Sequence, residues 1–168
     1  MSVARAGLTG LIRRVTDLME LIPYWVVAFL GRFSIAAVFW KSGQTKVEGF
    51  AIDIFSGTFN LGIPRLSDTA VFLFKEEYKL PLLPPEVAAP LAALAEHVLP
   101  VLLLVGLASR FSALGLLIMT AVIQIFVYPS AYPTHGTWAA ILLMIMVYGP
   151  GKLSVDQFLA SKEKAPKT

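Results

Sequence analysis

Long apolar stretches separated by charged segments dominate this chain and limit the folds open to it. The stretches cover about 24–42, 87–107, 111–128 and 134–149. About twenty apolar residues in an α-helix cross the roughly 30 Å hydrocarbon core of a bilayer. Apolar residues make up 57% of the chain and charged residues only 15%, which is too little polar surface for a soluble fold. We therefore expect an all-α membrane protein, built as a bundle of four transmembrane helices.

The fourth stretch differs from the others because its apolar part, Trp138 to Tyr148, is short. At about 1.5 Å per residue it extends only about 16 Å. It crosses the membrane only if the polar residues 134–137 belong to the same helix. The alternative is a re-entrant segment.

The distribution of Lys and Arg predicts the orientation of the spans. Four spans place both termini on one side, where eight basic residues lie, against five on the other side, from Lys41 at the end of the first span to Lys79 in loop 43–86. The side richer in Lys and Arg is normally the cytoplasmic one, so both termini are expected there, next to anionic lipid headgroups. The eight residues are Arg5, Arg13, Arg14, Arg110, Lys152, Lys162, Lys164 and Lys167; the five are Lys41, Lys46, Arg65, Lys75 and Lys79.

The segments outside the spans also have recognisable patterns. Residues 1–22 alternate apolar and charged positions at helical spacing, which predicts an amphipathic helix on the inner membrane surface. Ser154 and Gln157 form a capping box, which predicts a short helix near the C-terminus. Residues 157–168 are predicted to be a polar tail, and we expect disorder from residue 161 onward.

Loop 43–86 between the first two spans is too long and too apolar for a simple linker. Within it we predict a turn at Asn60 to Pro64 and a helix from Asp68 to Tyr78 with Ser67 as its N-cap. The loop is expected to cap the outer mouth of the bundle. A surface loop without a ligand role is an equally open alternative.

Composition also excludes several functions. The chain has no cysteine, which removes disulfides, thiolate metal sites and CxxC redox chemistry. Any redox role must then use a bound cofactor or a partner. The basic residues form no patch interleaved with aromatic residues, so nucleic acid is not an expected partner. The methionines are interpreted as packing residues, and no metal site is predicted.

The second apolar stretch carries an acid and a base side by side, Glu96 and His97, with Pro100 four residues after the acid. Ionisable groups at bilayer depth are costly and by default mark a functional site. Pro100 cannot donate to the carbonyl of Glu96, which predicts a kink at the pair. Arg32, midway along the first span, is the predicted counter-ion of Glu96.

Two interpretations of this polar cluster remain open. In the structural one, Arg32 and Glu96 form a buried pair that fixes the register of two helices. In the functional one, Glu96 and His97 exchange protons with a quinone headgroup, or pass on a proton that is being transported. Arg32 then keeps the carboxylate charged. The functional interpretation makes Glu96, His97 and Arg32 the candidate catalytic residues.

Two weaker candidates for cofactor binding lie further along the chain. Gln124 is one turn from Thr120 on the third span and could complete a polar interior, although an interhelical hydrogen bond explains it equally simply. His135 lies among Tyr128, Tyr132 and Trp138, which are typical of an interfacial aromatic belt. A haem held between His97 and His135 is disfavoured because the two residues are predicted at different depths.

Three segments together resemble the DoxX family of small bacterial membrane proteins. The exit of the first span, from Gly31-Arg32-Phe33 to Phe39-Trp40-Lys41-Ser42-Gly43-Gln44-Thr45-Lys46, is similar to the opening pattern of the family. Glu96 followed by Leu102-Leu103-Leu104-Val105-Gly106-Leu107-Ala108-Ser109-Arg110 resembles its second span. The segment from Gly149 to Asp156 resembles the end of its fourth span.

This resemblance implies a four-helix domain over residues 23–156 in the bacterial inner membrane. It also implies a subunit of a quinone-linked or otherwise redox-associated complex, with no intrinsic cofactor but a possible quinone ligand and a protein partner. An independent enzyme is a weaker hypothesis. The alternative is a noncatalytic assembly, export or anchoring partner, for example in the biosynthesis of metal-binding peptides.

Overall fold

The computed structural model describes residues 2–54, 56–81 and 83–163, with side chains from residue 9 onward. Most of this part of the chain is helical, and two strands lie between the second and third helices. The elements are α1 (Ser2–Glu20), α2 (Tyr24–Gln44), β1 (Val47–Asp53), β2 (Thr58–Leu66), α3 (Asp68–Leu73), α4 (Pro85–Val105), α5 (Ser109–Val122), α6 (Tyr132–Tyr148) and α7 (Val155–Glu163). Single π-helical turns, Phe74–Tyr78 and Ile123–Val127, extend α3 and α5, and a 3₁₀ turn, Pro129–Ala131, precedes α6.

Within the described ranges, three helices are long and apolar enough to cross a membrane. They are Tyr24–Gln44, Pro85–Val105 and Ser109–Val127, the last including the π-helical turn. These correspond to the first three predicted spans. Helix α6 also forms, and it includes polar residues 134–137 as the fourth span would require, but its 17 residues make it shorter than the others.

The long helices pack in a ring, in which α2 contacts α4 and α6, and α5 contacts the same two helices. Their shared core holds aliphatic and aromatic side chains from all four. Glycine and alanine allow the closest approach: a Cβ on Gly43 would stand 2.9 Å from the ring of His97. The buried residues Ala88, Ala89 and Ala93 give α4 a surface of small side chains that allows close packing. The main core residues are Ile35, Phe39, Leu103, Ala113, Leu116, Leu142 and Ile145.

The β1–β2 hairpin corrects two sequence predictions. Loop 43–86 is not entirely helical or irregular, so the protein is not all-α. The predicted turn at Asn60 to Pro64 is also wrong, because these residues lie within β2, which pairs antiparallel with β1. The chain reverses instead between Asp53 and Thr58, where Gly57 has a φ of +68°. Alternating apolar residues at Phe50, Ile52 and Ile54 were the available strand signal.

Other local predictions in the connecting segments are confirmed. Ser67 caps α3 by accepting a hydrogen bond from the amide of Ala70 at 3.1 Å. Phe74, at the end of α3, packs on the alanine surface of α4. Ser154 caps α7 through the amide of Gln157 at 3.2 Å.

The C-terminal helix is longer than predicted. Helix α7 continues to Glu163, so residues 161–163 are helical and the prediction of disorder from residue 161 is wrong there. The remainder of that prediction, 164–168, lies outside the described residues.

Candidate functional site

Glu96 lies near the hairpin end of the α2–α4 contact and is paired with Lys46. The Lys46 Nζ donates to Glu96 Oε2 at 2.6 Å and to the Ser42 hydroxyl at 3.1 Å. Ser42 in turn donates to Glu96 Oε1 at 3.2 Å. Glu96 is only 3% exposed, so its charge is compensated by a lysine and a hydroxyl rather than by water.

The local fold of the α2 C-terminus brings Lys46 to this position. The helix ends at Gln44, and the amide of Lys46 donates back to the carbonyl of Gly43 at 2.9 Å. This final turn places Lys46 above Ser42, four residues earlier, so that both side chains face α4. Sequence reasoning assigned Lys46 to a loop and missed it. The four-residue spacing from Ser42 was the signal that could have found it.

Arg32 does not pair with Glu96, so the predicted counter-ion is wrong. Its guanidinium donates to the carbonyl of Leu104 at 2.7 Å, to that of Leu103 at 3.3 Å and to that of Leu153. Leu103 and Leu104 belong to the last turn of α4, where carbonyls lack the regular helical partner, although Leu103 also accepts from the amide of Gly106 at 3.2 Å. A cation there also complements the negative end of the helix dipole. Arg32 therefore stabilises a helix C-terminus, and its buried Nε has no hydrogen-bond partner in the described structure.

His97 lies beside the Lys46–Glu96 pair and has polar partners on both ring nitrogens. Gln44 accepts from the amide of Ile52 at 2.7 Å through Oε1, which leaves its amide nitrogen to donate to His97 Nε2 at 2.8 Å. His97 Nδ1 is 2.6 Å from the carbonyl of Ala93 and must be the donor there. This network selects the neutral tautomer protonated at Nδ1. Trp40 packs edge-on against the imidazole of His97, with 5.2 Å between the two ring centroids.

Gln124 and His135 contact each other rather than the Glu96 cluster. His135 Nδ1 donates to Gln124 Oε1 at 2.7 Å, and the Gln124 amide donates to the carbonyl of Pro129 at 2.7 Å. The pair links the π-helical turn of α5 to the start of α6. Thr120 bonds within its own helix, to the carbonyl of Leu116. The contacts support the interhelical interpretation of Gln124.

An apolar groove of about 660 Å³ lies between α2, α4 and the hairpin tip, and two of its lining residues, Trp40 and Gln44, contact His97. Trp40 and Gln44 form part of its wall, and Trp40 Nε1 also donates to the carbonyl of Ile52 at 2.9 Å, which holds the hairpin in place. The α4 side of the groove is apolar, whereas the hairpin contributes both apolar residues (Ala51, Ile52 and Ile54) and polar ones (Asp53, Ser56 and Thr58). The apolar residues include Phe33, Ala36, Ala37, Pro100, Val101 and Leu104; the polar ones are Lys41, Gln44, Thr45, Asp53, Ser56 and Thr58.

The long helices and their buried charges define the class of this protein. Long apolar helices that pack through small residues and bury paired charges are typical of helical membrane proteins. The DoxX family model matches residues 27–129, which is more than half of the chain. The chain therefore belongs to the DoxX family, as the sequence motifs suggested, and is an integral membrane protein. No curated protein and no solved structure matches it.

The extent of the family match separates the candidate residues into two groups. Residues 27–129 contain the hairpin, most of the first candidate span and all of the other two, and with them Arg32, Lys46, Glu96, His97 and Gln124. The match ends before α6, so His135 lies outside it. No group of three His, Asp or Glu residues able to hold a metal ion occurs in the described ranges.

Proposed function

We propose that this DoxX protein is a subunit of a quinone-linked or redox-associated complex in the bacterial inner membrane. In this proposal α2, α4, α5 and α6 all span the bilayer, both termini are cytoplasmic and α1 lies on the inner surface. The polar entrance of α6 and the excess of basic residues on the side of the termini support this topology. Contact with the bilayer follows from the apolar helices.

The groove beside His97 is the observation that carries the quinone proposal. A quinone has a polar headgroup and a long apolar tail, and the groove is mostly apolar with several polar side chains near the hairpin. Its volume of about 660 Å³ is within the range usual for small-molecule sites. Phe33, Val101 and Leu104 are apolar residues of the groove wall and are each more than one-third exposed, so a tail can pass from there into the hydrocarbon.

The polar cluster has two roles in this proposal. Gln44 lines the groove and also donates to His97, so a headgroup that contacts Gln44 is connected to the imidazole through this one side chain. Glu96 is held by Lys46 and Ser42 and acts as a positioning residue that keeps α2 against α4. Arg32 stabilises the opposite end of α4 and has no direct contact with a ligand in the groove.

Filling the groove tests the proposal. The Ala37→Phe variant places an aromatic ring in the groove, whereas Ala121→Phe makes the same change on an exposed position of α5. Quenching of Trp40 fluorescence by a short-chain ubiquinone in detergent reports binding, because Trp40 forms part of the wall. We expect saturable quenching in the wild type and in Ala121→Phe, and about tenfold weaker binding in Ala37→Phe, as for other overfilled sites. Equal quenching in all three proteins would reject the groove as a quinone site.

A noncatalytic assembly, export or anchoring partner is the second candidate function, and the hairpin surface favours it. Phe59, Leu61 and Ile63 on β2 are 65%, 74% and 81% exposed. Such a cluster is typical of a surface covered by another protein or by lipid. Copurification of a partner that is lost in a Phe59→Ser/Leu61→Ser variant, together with no quinone binding in the wild type, would favour this function.

A further inference from the structure

A second cavity, of about 790 Å³, lies at the opposite end of the protein from the hairpin, where α2 and α5 begin and α6 ends. Its wall includes Arg110 at the start of α5 and Lys152 in the segment after α6, together with the aromatic rings of Tyr24 and Tyr148. None of these residues belongs to the Glu96 cluster or to the groove beside His97. The cavity therefore needs an explanation of its own.

The segment after α6 shapes this cavity and is held rigidly against the helices. The Tyr24 hydroxyl donates to the carbonyl of Gly149 at 2.7 Å, and the Tyr24 and Tyr148 rings pack edge-on at 6.0 Å. Gly151 has a φ of +82°, and a Cβ there would come within 3.1 Å of Ala28 and of the Trp25 backbone. The wall that carries Lys152 is thus built by close packing and is not a loose tail.

The charges around the cavity are predominantly positive. Among the described residues, Asp156 is the one acid that lines it, and its carboxylate already accepts hydrogen bonds. It accepts from the amides of Ala108 and Ser109 at 2.8 and 2.9 Å, and from the Ser109 hydroxyl at 2.7 Å. Arg110 and Lys152 are both exposed at the cavity, and Arg110 makes only a long contact of 3.4 Å, with the carbonyl of Val147. Two exposed cations remain available to an anion.

Apolar side chains continue from the cavity along the outside of the helices. Phe111 and Tyr148 line the cavity and are 79% and 71% exposed, and Val147 beside them is also exposed. In a membrane protein such residues lie against acyl chains or at the interface. The cavity thus joins a cationic end to a surface suited to a lipid tail.

We infer that this cavity is a binding site for a phosphate group, with Arg110 and Lys152 as its cationic ligands and the Phe111–Tyr148 surface receiving an acyl chain when the phosphate belongs to an anionic phospholipid. The proposal is independent of the quinone site, because the two cavities share no residue. A free phosphate is the other source of the same chemistry, and the experiment distinguishes the two.

Native mass spectrometry of the full chain in mild detergent, titrated with phosphatidylglycerol, tests the inference. The Arg110→Gln/Lys152→Gln variant removes both charges at the cavity. Arg65→Gln/Lys75→Gln is the matched control, since it removes one arginine and one lysine from exposed positions of loop 43–86. We expect about tenfold weaker phosphatidylglycerol binding in the cavity variant and unchanged binding in the control, because each basic residue near an anionic lipid adds appreciably to affinity. Phosphatidylcholine also carries a phosphate, but its choline cation offsets the charge, so it should distinguish the variants less than phosphatidylglycerol does.

Two further arms complete the test. Inorganic phosphate that displaces phosphatidylglycerol at millimolar concentration would identify free phosphate as a ligand of the site, whereas failure to displace it would identify the lipid. The charge-preserving Arg110→Lys/Lys152→Arg variant should restore binding, and this keeps the proposal testable if the glutamine variant folds poorly. Wild-type affinity in the glutamine variant, or an equal loss in the control, would overturn the inference.

Discussion

Two buried ionisable residues at opposite ends of the α2–α4 contact have different kinds of hydrogen-bond partner. Near the hairpin, Glu96 has a charged partner, Lys46, at 2.6 Å. Near the termini, Arg32 is fully buried and donates only to backbone carbonyls. The Lys46–Glu96 pair depends on two side chains, and a substitution of either one breaks it. The carbonyls at the end of α4 belong to the backbone and are present whatever the sequence. The difference indicates that Arg32 is a structural clamp and that the Glu96 end can be tuned by its sequence.

The largest effect is expected when the arginine clamp is removed. Replacing Arg32 by Met removes the guanidinium donor from the carbonyls of Leu104 and Leu153 in a buried site, while Leu103 keeps the amide of Gly106. Hydrogen bonds to a charged donor contribute roughly 1.5–3 kcal/mol each, so we expect a loss of about 5 kcal/mol in the free energy of unfolding. Unfolding in mixed micelles by SDS titration measures it.

The Arg32→Lys variant is the control for the clamp. It keeps the charge at the end of α4 but loses the planar set of donors, so we expect an intermediate loss. If Arg32→Met were as stable as the wild type, the assignment of Arg32 to the α4 C-terminus would be wrong.

A smaller and recoverable effect is expected at the hairpin end. Lys46→Met leaves the Glu96 carboxylate buried without its counter-ion, which costs about 3–5 kcal/mol in comparable pairs. The double variant Lys46→Met/Glu96→Gln removes both charges and should recover most of this loss. A double-mutant cycle on the free energy of unfolding measures the coupling. Additive losses would show that the two side chains act independently, contrary to their 2.6 Å contact.

The cap of α5 is the next test at the end near the termini. Asp156→Asn removes the negative charge that the amides of Ala108 and Ser109 contact, and capping carboxylates contribute about 1 kcal/mol. We expect a loss of this size in thermal or SDS unfolding. Asp17→Asn, on an exposed position of α1, is the matched control and should leave stability unchanged.

The smallest effect is expected where α3 meets α5 outside the spans. The Tyr128 hydroxyl donates to Glu77 Oε1 at 2.7 Å, and this hydrogen bond, together with burial, raises the pKa of Tyr128 above its ordinary value. The protonated hydroxyl is therefore favoured in the folded state, and its stabilisation is present below the unfolded pKa of about 10 and is lost as pH rises through the folded value.

Tyr128→Phe should therefore cost about 0.5 kcal/mol at neutral pH, a small value because the side chain is partly exposed. It should also weaken the fall in melting temperature above pH ~10, where tyrosine begins to ionise in the unfolded chain. Melting curves of both proteins over the alkaline range measure this difference. Parallel curves would show that Tyr128 does not contribute to the pH dependence.

The sequence predicted features that depend on neighbours along the chain. Apolar length gave three helices that the structure contains at nearly the predicted bounds, and local capping patterns identified Ser67 and Ser154. It failed at the hairpin because Asn60, Gly62 and Pro64 are residues typical of turns, although here they lie in a strand with an irregular register. Pairing with β1 outweighs these local preferences.

The partners of the buried charges depend on tertiary structure. Glu96 and His97 were identified as a polar site because charges are rare in apolar segments, and this required no knowledge of contacts. The sequence pairs Arg32 with Glu96 because Glu96 is the acid at a similar membrane depth. Every residue has a backbone carbonyl, so the sequence does not indicate which carbonyls Arg32 contacts. Only the packing of the helices brings the end of α4 and the segment at Leu153 together around Arg32. The same packing places the final turn of α2 so that Lys46 contacts Glu96.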